Sequence, residues 1–207
     1  LESLGRVFTT SSDTEVLLQG YIQWGAEVTK KLRGMFAFVI WDREEQSLYG
    51  ARDPFGIKPF YYAAQGDVFF FGSEVKSFLP HPAFKKELNR EALKFYLTFQ
   101  YSALNESFFK GAYRLLPGHQ LTHKDGVTEI TSYHEFRFEA DHRSLREHAE
   151  EIREVVTESV KAHEIADVEV GSFLSGGIDS SVIACLSRPD KTYSVGFANK
   201  GFDETSE

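Results

Sequence analysis

Apolar positions in the first half of the chain fall into short, well-punctuated runs. Ser12-Asp13-Thr14-Glu15 has capping-box spacing, and Val16, Leu17 and Trp24 follow as an apolar stripe, which predicts a helix over residues 13–24. A second short helix is expected over 27–32, ending at Gly34. The run Phe36-Ala-Phe-Val-Ile-Trp41 has the β-branched and aromatic content of a buried strand, and residues 47–52 return as its hairpin partner. Pro54, Gly56 and Pro59 punctuate a loop, in which Arg52 and Asp53 are expected to form a buried ion pair. Strands over 60–63 and 68–71 flank Gly66-Asp67, and a short helix over 73–78 is expected with Ser73 as its cap. Asn89 caps a helix over 90–98, and Asp125-Gly126 turns a hairpin of 119–124 with 127–136.

The pattern changes after residue 138. Leu145, Ala149, Ile152, Val156 and Val160 recur at helical spacing, predicting an amphipathic helix over 144–163. The charged stretch 139–143 marks the boundary, so the expected domains are 1–138 and 139–207. A strand (170–174), a Gly-rich loop, a helix (179–186) and a strand (192–197) then form a parallel βαβ unit. The fold class is therefore α/β with α+β.

Composition narrows the function. A net charge of -8 and a pI near 5.4 leave no basic footprint, which argues against nucleic-acid binding. The longest fully apolar run, residues 35–41, is far short of a membrane span. The single Cys permits no internal disulfide, which fits a reducing, cytoplasmic compartment. Cys185, between Ala184 and Leu186, is expected to be a core thiol. His119 and His123 read as solvated histidines rather than a zinc pair, and Glu150, Glu151 and Glu154 as the wet face of the long helix. With no signal peptide and no initiator Met at Leu1, the chain is expected to be an internal piece of a longer polypeptide.

Ser175-Gly-Gly-Ile-Asp-Ser-Ser181 carries the most chemistry. It follows a strand and opens a helix, where free amides and the helix dipole favour an anion. Gly176 and Gly177 let the backbone approach that anion, and Ser175, Ser180 and Ser181 can add hydroxyl donors. Asp179 would repel phosphate unless it holds Mg²⁺. The loop has no Lys for a Walker-type site, and the Gly-x-Gly-x-x-Gly and Gly-x-Ser-x-Gly patterns are absent.

The seven-residue string resembles the pyrophosphate loop of enzymes that split ATP between its α and β phosphates. Residues 32–38, 51–62, 71–76, 97–101 and 116–119, in that order, resemble the class II glutamine amidotransferase half of glutamine-hydrolysing asparagine synthetases. The resemblance implies a partial Ntn-type α/β/β/α sandwich through about residue 138, then the start of a parallel-sheet PP-loop domain. It implies that an N-terminal Cys, absent from this chain, releases ammonia from glutamine. The ammonia passes through a tunnel to β-aspartyl-AMP made from aspartate and ATP. Asp13 matches the family's aspartate for the glutamine α-ammonium, a role compatible with simple complementarity to the helix dipole. Leu174, Ser175, Gly176, Gly177, Asp179 and Ser180 match the ATP site, with Asp179 as Mg²⁺ ligand. Val195 matches a backbone contact to adenine and reads equally well as a core strand residue. Tyr133-His-Glu-Phe136 departs from the family's usual Tyr-Trp. The resemblance allows a homodimeric parent. Two alternatives stay open: a relative adenylating another carboxylate, as β-lactam synthetases do, and a non-enzymatic scaffold.

Overall fold

A computed structural model of the chain describes residues 1–196, and the chain divides into two compact units, Leu1–Arg137 and Phe138–Glu207. In the first, α1 (Asp13–Trp24) begins at Ser12, whose side chain accepts the Thr14 N–H at 3.2 Å. The expected capping box does not close. Glu15 reaches back instead to the N–H and hydroxyl groups of Thr9 and Thr10, at 2.6–2.9 Å. Those contacts, led by the Thr10 hydroxyl, hold the Glu15 carboxyl down to about 2. A 3-10 helix, Gly25–Lys31, replaces the expected helix over 27–32. It packs closely on α1 because Gly20 has no Cβ; one built there would meet Val28 Cγ2 at 2.9 Å.

Two antiparallel sheets form the centre. The first has strand order β1 (Ala37–Asp42), β2 (Ser47–Arg52), β6 (His119–Lys124), β7 (Val127–Ser132). The second has order β4 (Val68–Gly72), β3 (Tyr61–Gln65), β5 (Ala112–Arg114). Strand alternation assigns the side chains to layers. Ile40 and Tyr49 pack with Val28 beneath α1 residues Leu17, Tyr21 and Trp24. Ala37 and Val39, from the opposite face of β1, join Phe60, Leu115, Leu121, Tyr62 and Phe69 between the sheets. Ala63, Phe70 and Ala112 face outward from the second sheet and are closed over by Phe78 and Phe84. Helix, sheet, sheet and an outer aromatic cover follow in that order.

Several elements differ from the sequence pattern. The segment 73–78 is a 3-10 turn, Val75–Ser77, with Glu74 rather than Ser73 at its cap position. β5, only three residues long, is too short for periodicity to reveal. β7 stops at Ser132 because the N–H groups of Tyr133 and His134 turn to the Gly118 carbonyl. As expected, α2 (Arg90–Phe99) starts at Asn89, whose side chain accepts the Glu91 and Ala92 N–H groups at 3.1 Å.

In the second unit, α3 (Leu145–His163) opens with a complete capping box between Ser144 and Glu147. Of its predicted stripe only Val160 is buried; Leu145 is 87% and Ile152 60% exposed. β8 (Ser172–Phe173) and β9 (Thr192–Tyr193) pair in parallel around α4 (Ile178–Ser187). Both strands are shorter than expected, since pairing spans two residues on each; Phe197 lies outside the described residues. Cys185 is exposed, not a core thiol. α4 packs against α3 and β8, and its Cys185 side is uncovered among the described residues.

Candidate functional sites

Asp13 is the first residue of α1 and lines a cavity of about 430 Å³. Arg33, Phe36, Lys58, Pro59 and Ser73 also border it. A carboxylate at a helix N-terminus in the same cavity wall as Lys58 and Arg33 gives the cavity both signs of charge, suited to a zwitterion such as an α-amino acid. Lys58 and Arg33 escaped assignment in the sequence. Their signal was position within the runs 51–62 and 32–38, and only folding brings those runs to Asp13.

The loop carrying Lys58 is held from both sides. Asp53 is fully buried, and its carboxylate accepts the N–H groups of Phe55, Ile57 and Lys58 at 2.9–3.1 Å. Burial alone would raise its pKa, but these amides outweigh burial and hold it below the usual carboxylate range. The Arg52 guanidinium donates to the carbonyls of Lys58, Leu115 and Gly56 at 2.6–2.7 Å. The expected Arg52–Asp53 ion pair therefore does not form. Each charge is taken up by backbone groups instead, Arg52 by three carbonyls and Asp53 by three amides. Tyr133 completes the brace by donating its hydroxyl hydrogen to the Arg52 carbonyl at 2.7 Å. Burial raises the pKa of that hydroxyl.

In the second unit, the 175–181 loop lies where parallel β8 and β9 end. Gly176 has φ +88°, the left-handed region that favours glycine. Gly177 caps α4 with no side chain of its own. Ser180 pins the loop: its hydroxyl donates to the Gly177 carbonyl at 3.0 Å and accepts the Ser175 N–H at 3.2 Å. The two serine hydroxyl oxygens are 3.1 Å apart. Asp179 is exposed in the first turn of α4. The Leu174 N–H donates to the Tyr193 carbonyl at 2.9 Å, and the Ser194 hydroxyl donates to the Leu174 carbonyl at 2.6 Å. Leu174, the loop and Val195 are thus gathered at one end of the strand pair, with Val195 exposed rather than in a core. Asp13 belongs to the other unit. The exposed Asp179 carboxylate is an oxygen donor of the kind Mg²⁺ takes.

Among the described residues no cluster of His, Cys, Asp and Glu could hold a metal by itself, and no helix is long and apolar enough to cross a membrane. His123 is not a solvated histidine: it is half-buried with its ring stacked on Phe69.

Two stacked antiparallel sheets with an acidic helix N-terminus over a charged cavity define the class of the first unit, an amidotransferase-type sandwich. The chain belongs to the glutamine amidotransferase domain family, whose model matches residues 1–134; residues 151–207 match the asparagine synthase family. It is 43% identical over 209 residues to glutamine-hydrolysing asparagine synthetase 1 of Bacillus subtilis, covering 99% of this chain and 33% of that protein. It is 40% identical over 214 residues to a putative glutamine-hydrolysing asparagine synthetase of Mycobacterium bovis, covering 97% of this chain and 32% of the relative. The chain spans about a third of the length of these curated relatives.

Proposed function

We propose that the chain is part of a glutamine-dependent asparagine synthetase, with residues 1–138 from its glutaminase domain and 139–207 from its ATP-binding domain. The observation that carries this reading is the presence on one chain of two different sites. One is a mixed-charge cavity at Asp13, fit for the α-amino acid head of glutamine. The other is the Ser175–Ser181 loop, fit for a pyrophosphate.

In this reading Asp13 accepts the glutamine α-ammonium while hydrolysis elsewhere in the protein releases ammonia. Aspartate attacks the α-phosphorus of ATP through its β-carboxylate, pyrophosphate leaves, and ammonia displaces AMP from β-aspartyl-AMP to give asparagine. The Gly176 and Gly177 backbone cradles the departing pyrophosphate, and Ser175 and Ser180, bonded to each other and to the Gly177 carbonyl, hold the loop in shape around it. Leu174 and Val195 present backbone to the adenine. Asp179 would hold Mg²⁺, which supplies charge neutralisation on the phosphate oxygens when bound. The reading carries with it a cytoplasmic, homodimeric enzyme acting on small molecules, with no nucleic-acid or membrane partner.

The test follows pyrophosphate and asparagine formation by the full-length protein, with glutamine or ammonia as nitrogen source. Asp179→Ala should abolish both products from either source. Asp13→Ala should raise the KM for glutamine at least tenfold and spare ammonia-dependent synthesis. Pyrophosphate without asparagine would point to a different carboxylate acceptor, and neither product from a folded wild type would favour the scaffold.

A further inference from the structure

A second cavity of the first unit, about 600 Å³, shares only Pro59 and Ser73 with the one at Asp13. Small-molecule sites commonly fall between roughly 300 and 1,000 Å³ and combine apolar walls with a few polar groups. Part of the wall here is aromatic. Tyr61 and Phe109 contribute, and Tyr96 meets Phe108 edge to face with ring centroids 5.3 Å apart.

Four charged side chains line the cavity, and three are already engaged. Glu74 pairs with Lys76. Glu106 spends one oxygen on the Asn89 side-chain amide at 2.8 Å and the other on the Gly111 N–H at 2.7 Å. The half-buried Arg114 donates its backbone N–H to the Asn105 carbonyl, but its guanidinium has no hydrogen-bond or ion-pair partner among the described residues. The nearby Arg52 guanidinium adds like charge and relieves none of it. Among the described residues, Arg114 is thus the one charged group of the cavity without a hydrogen-bond or ion-pair partner, and its planar donor fork matches a carboxylate.

From this arrangement we infer that the cavity is a separate ligand site for a small aromatic monocarboxylic acid. Arg114 takes the carboxylate, and the Tyr96–Phe108 wall takes the ring. A phosphate dianion fits poorly, since it would face the Glu74 and Glu106 carboxylates with a single free cation to hold it. A neutral aromatic leaves Arg114 desolvated and unpaired, which is unfavourable.

Titration calorimetry on the full-length protein with 3-phenylpropionate and its neutral isostere 3-phenylpropionamide tests this. The acid should bind saturably and at least tenfold more tightly than the amide. Arg114→Gln should erase that preference, with folding checked by its melting curve. Glu74→Gln removes a neighbouring negative charge and frees Lys76, so it should tighten acid binding severalfold and leave amide binding unchanged. This second variant decides the matter if Arg114→Gln does not fold. Equal binding of acid and amide, a preference that survives Arg114→Gln, or no saturable binding of either would overturn the inference.

Discussion

His123 stacks almost face to face on Phe69, with ring centroids 4.1 Å apart and planes at 16°. One ring comes from β6 of the four-stranded sheet and the other from β4 of the three-stranded sheet, so the pair bridges the two layers. Its Nδ1 lies 2.9 Å from the Thr128 hydroxyl. Burial lowers the His123 pKa from its ordinary value of 6.5.

A pH dependence follows from that shift. The unfolded chain binds a proton at His123 more readily than the folded one. Stability from this group is complete above about pH 6.5, falls as the pH drops below it, and levels out below the folded pKa. The urea midpoint of the full-length protein should therefore decline from pH 7.5 to 5. His123→Phe keeps a stacking ring without a titratable group and should decline less. A variant with the same slope as wild type would assign the effect to other groups.

Asp53 sets the stability of the loop that carries Lys58. Asp53→Ala would strand three backbone donors in a buried site, at a cost of about 3 kcal/mol or more. Asp53→Asn keeps an acceptor oxygen and should cost less. Urea unfolding of the two variants should rank them in that order. The KM for glutamine should rise in Asp53→Asn, because the displaced loop borders the Asp13 cavity.

The two loop glycines should separate structural need from ligand need. Gly176→Ala places a Cβ at positive φ and should destabilise locally by about 1–2 kcal/mol. Gly177 has φ -71°, and a Cβ there would meet only the Ser175 hydroxyl oxygen, at 3.6 Å. Gly177→Ala should therefore fold as wild type while weakening ATP binding at least tenfold, read as the KM for ATP in pyrophosphate release. Unchanged ATP kinetics would mean the loop is a structural corner.

The exposed Leu145 and Ile152 of α3 predict self-association of the isolated 207-residue chain. Leu145→Glu combined with Ile152→Glu should lower its weight-average mass in sedimentation and leave helix content nearly unchanged. The unmodified chain running as a sharp monomer would contradict this.

Local chemistry was legible in the sequence wherever the next few residues decided the outcome. The bounds of α1, the Asn89 cap, the Asp125-Gly126 turn and the Ser175–Ser181 corner all follow from short-range spacing, capping and glycine geometry. The layered sheets were legible through the residues that resemble a known family rather than through periodicity. What the pattern missed depends on distant partners. β5 exists because Ala63 and Tyr61 give it a neighbour. Arg52 and Asp53 part because Arg52 takes carbonyls as far away as Leu115 while Asp53 takes the amides of its own loop. Lys58, Arg33 and Asp13 come to line one cavity only when three separate segments pack. Arg114 is left without a partner among the described residues because folding engages Glu74, Lys76 and Glu106 elsewhere. Spacing along the chain encodes hydrogen bonds a few residues apart; tertiary packing decides which charges end up paired, buried or left over.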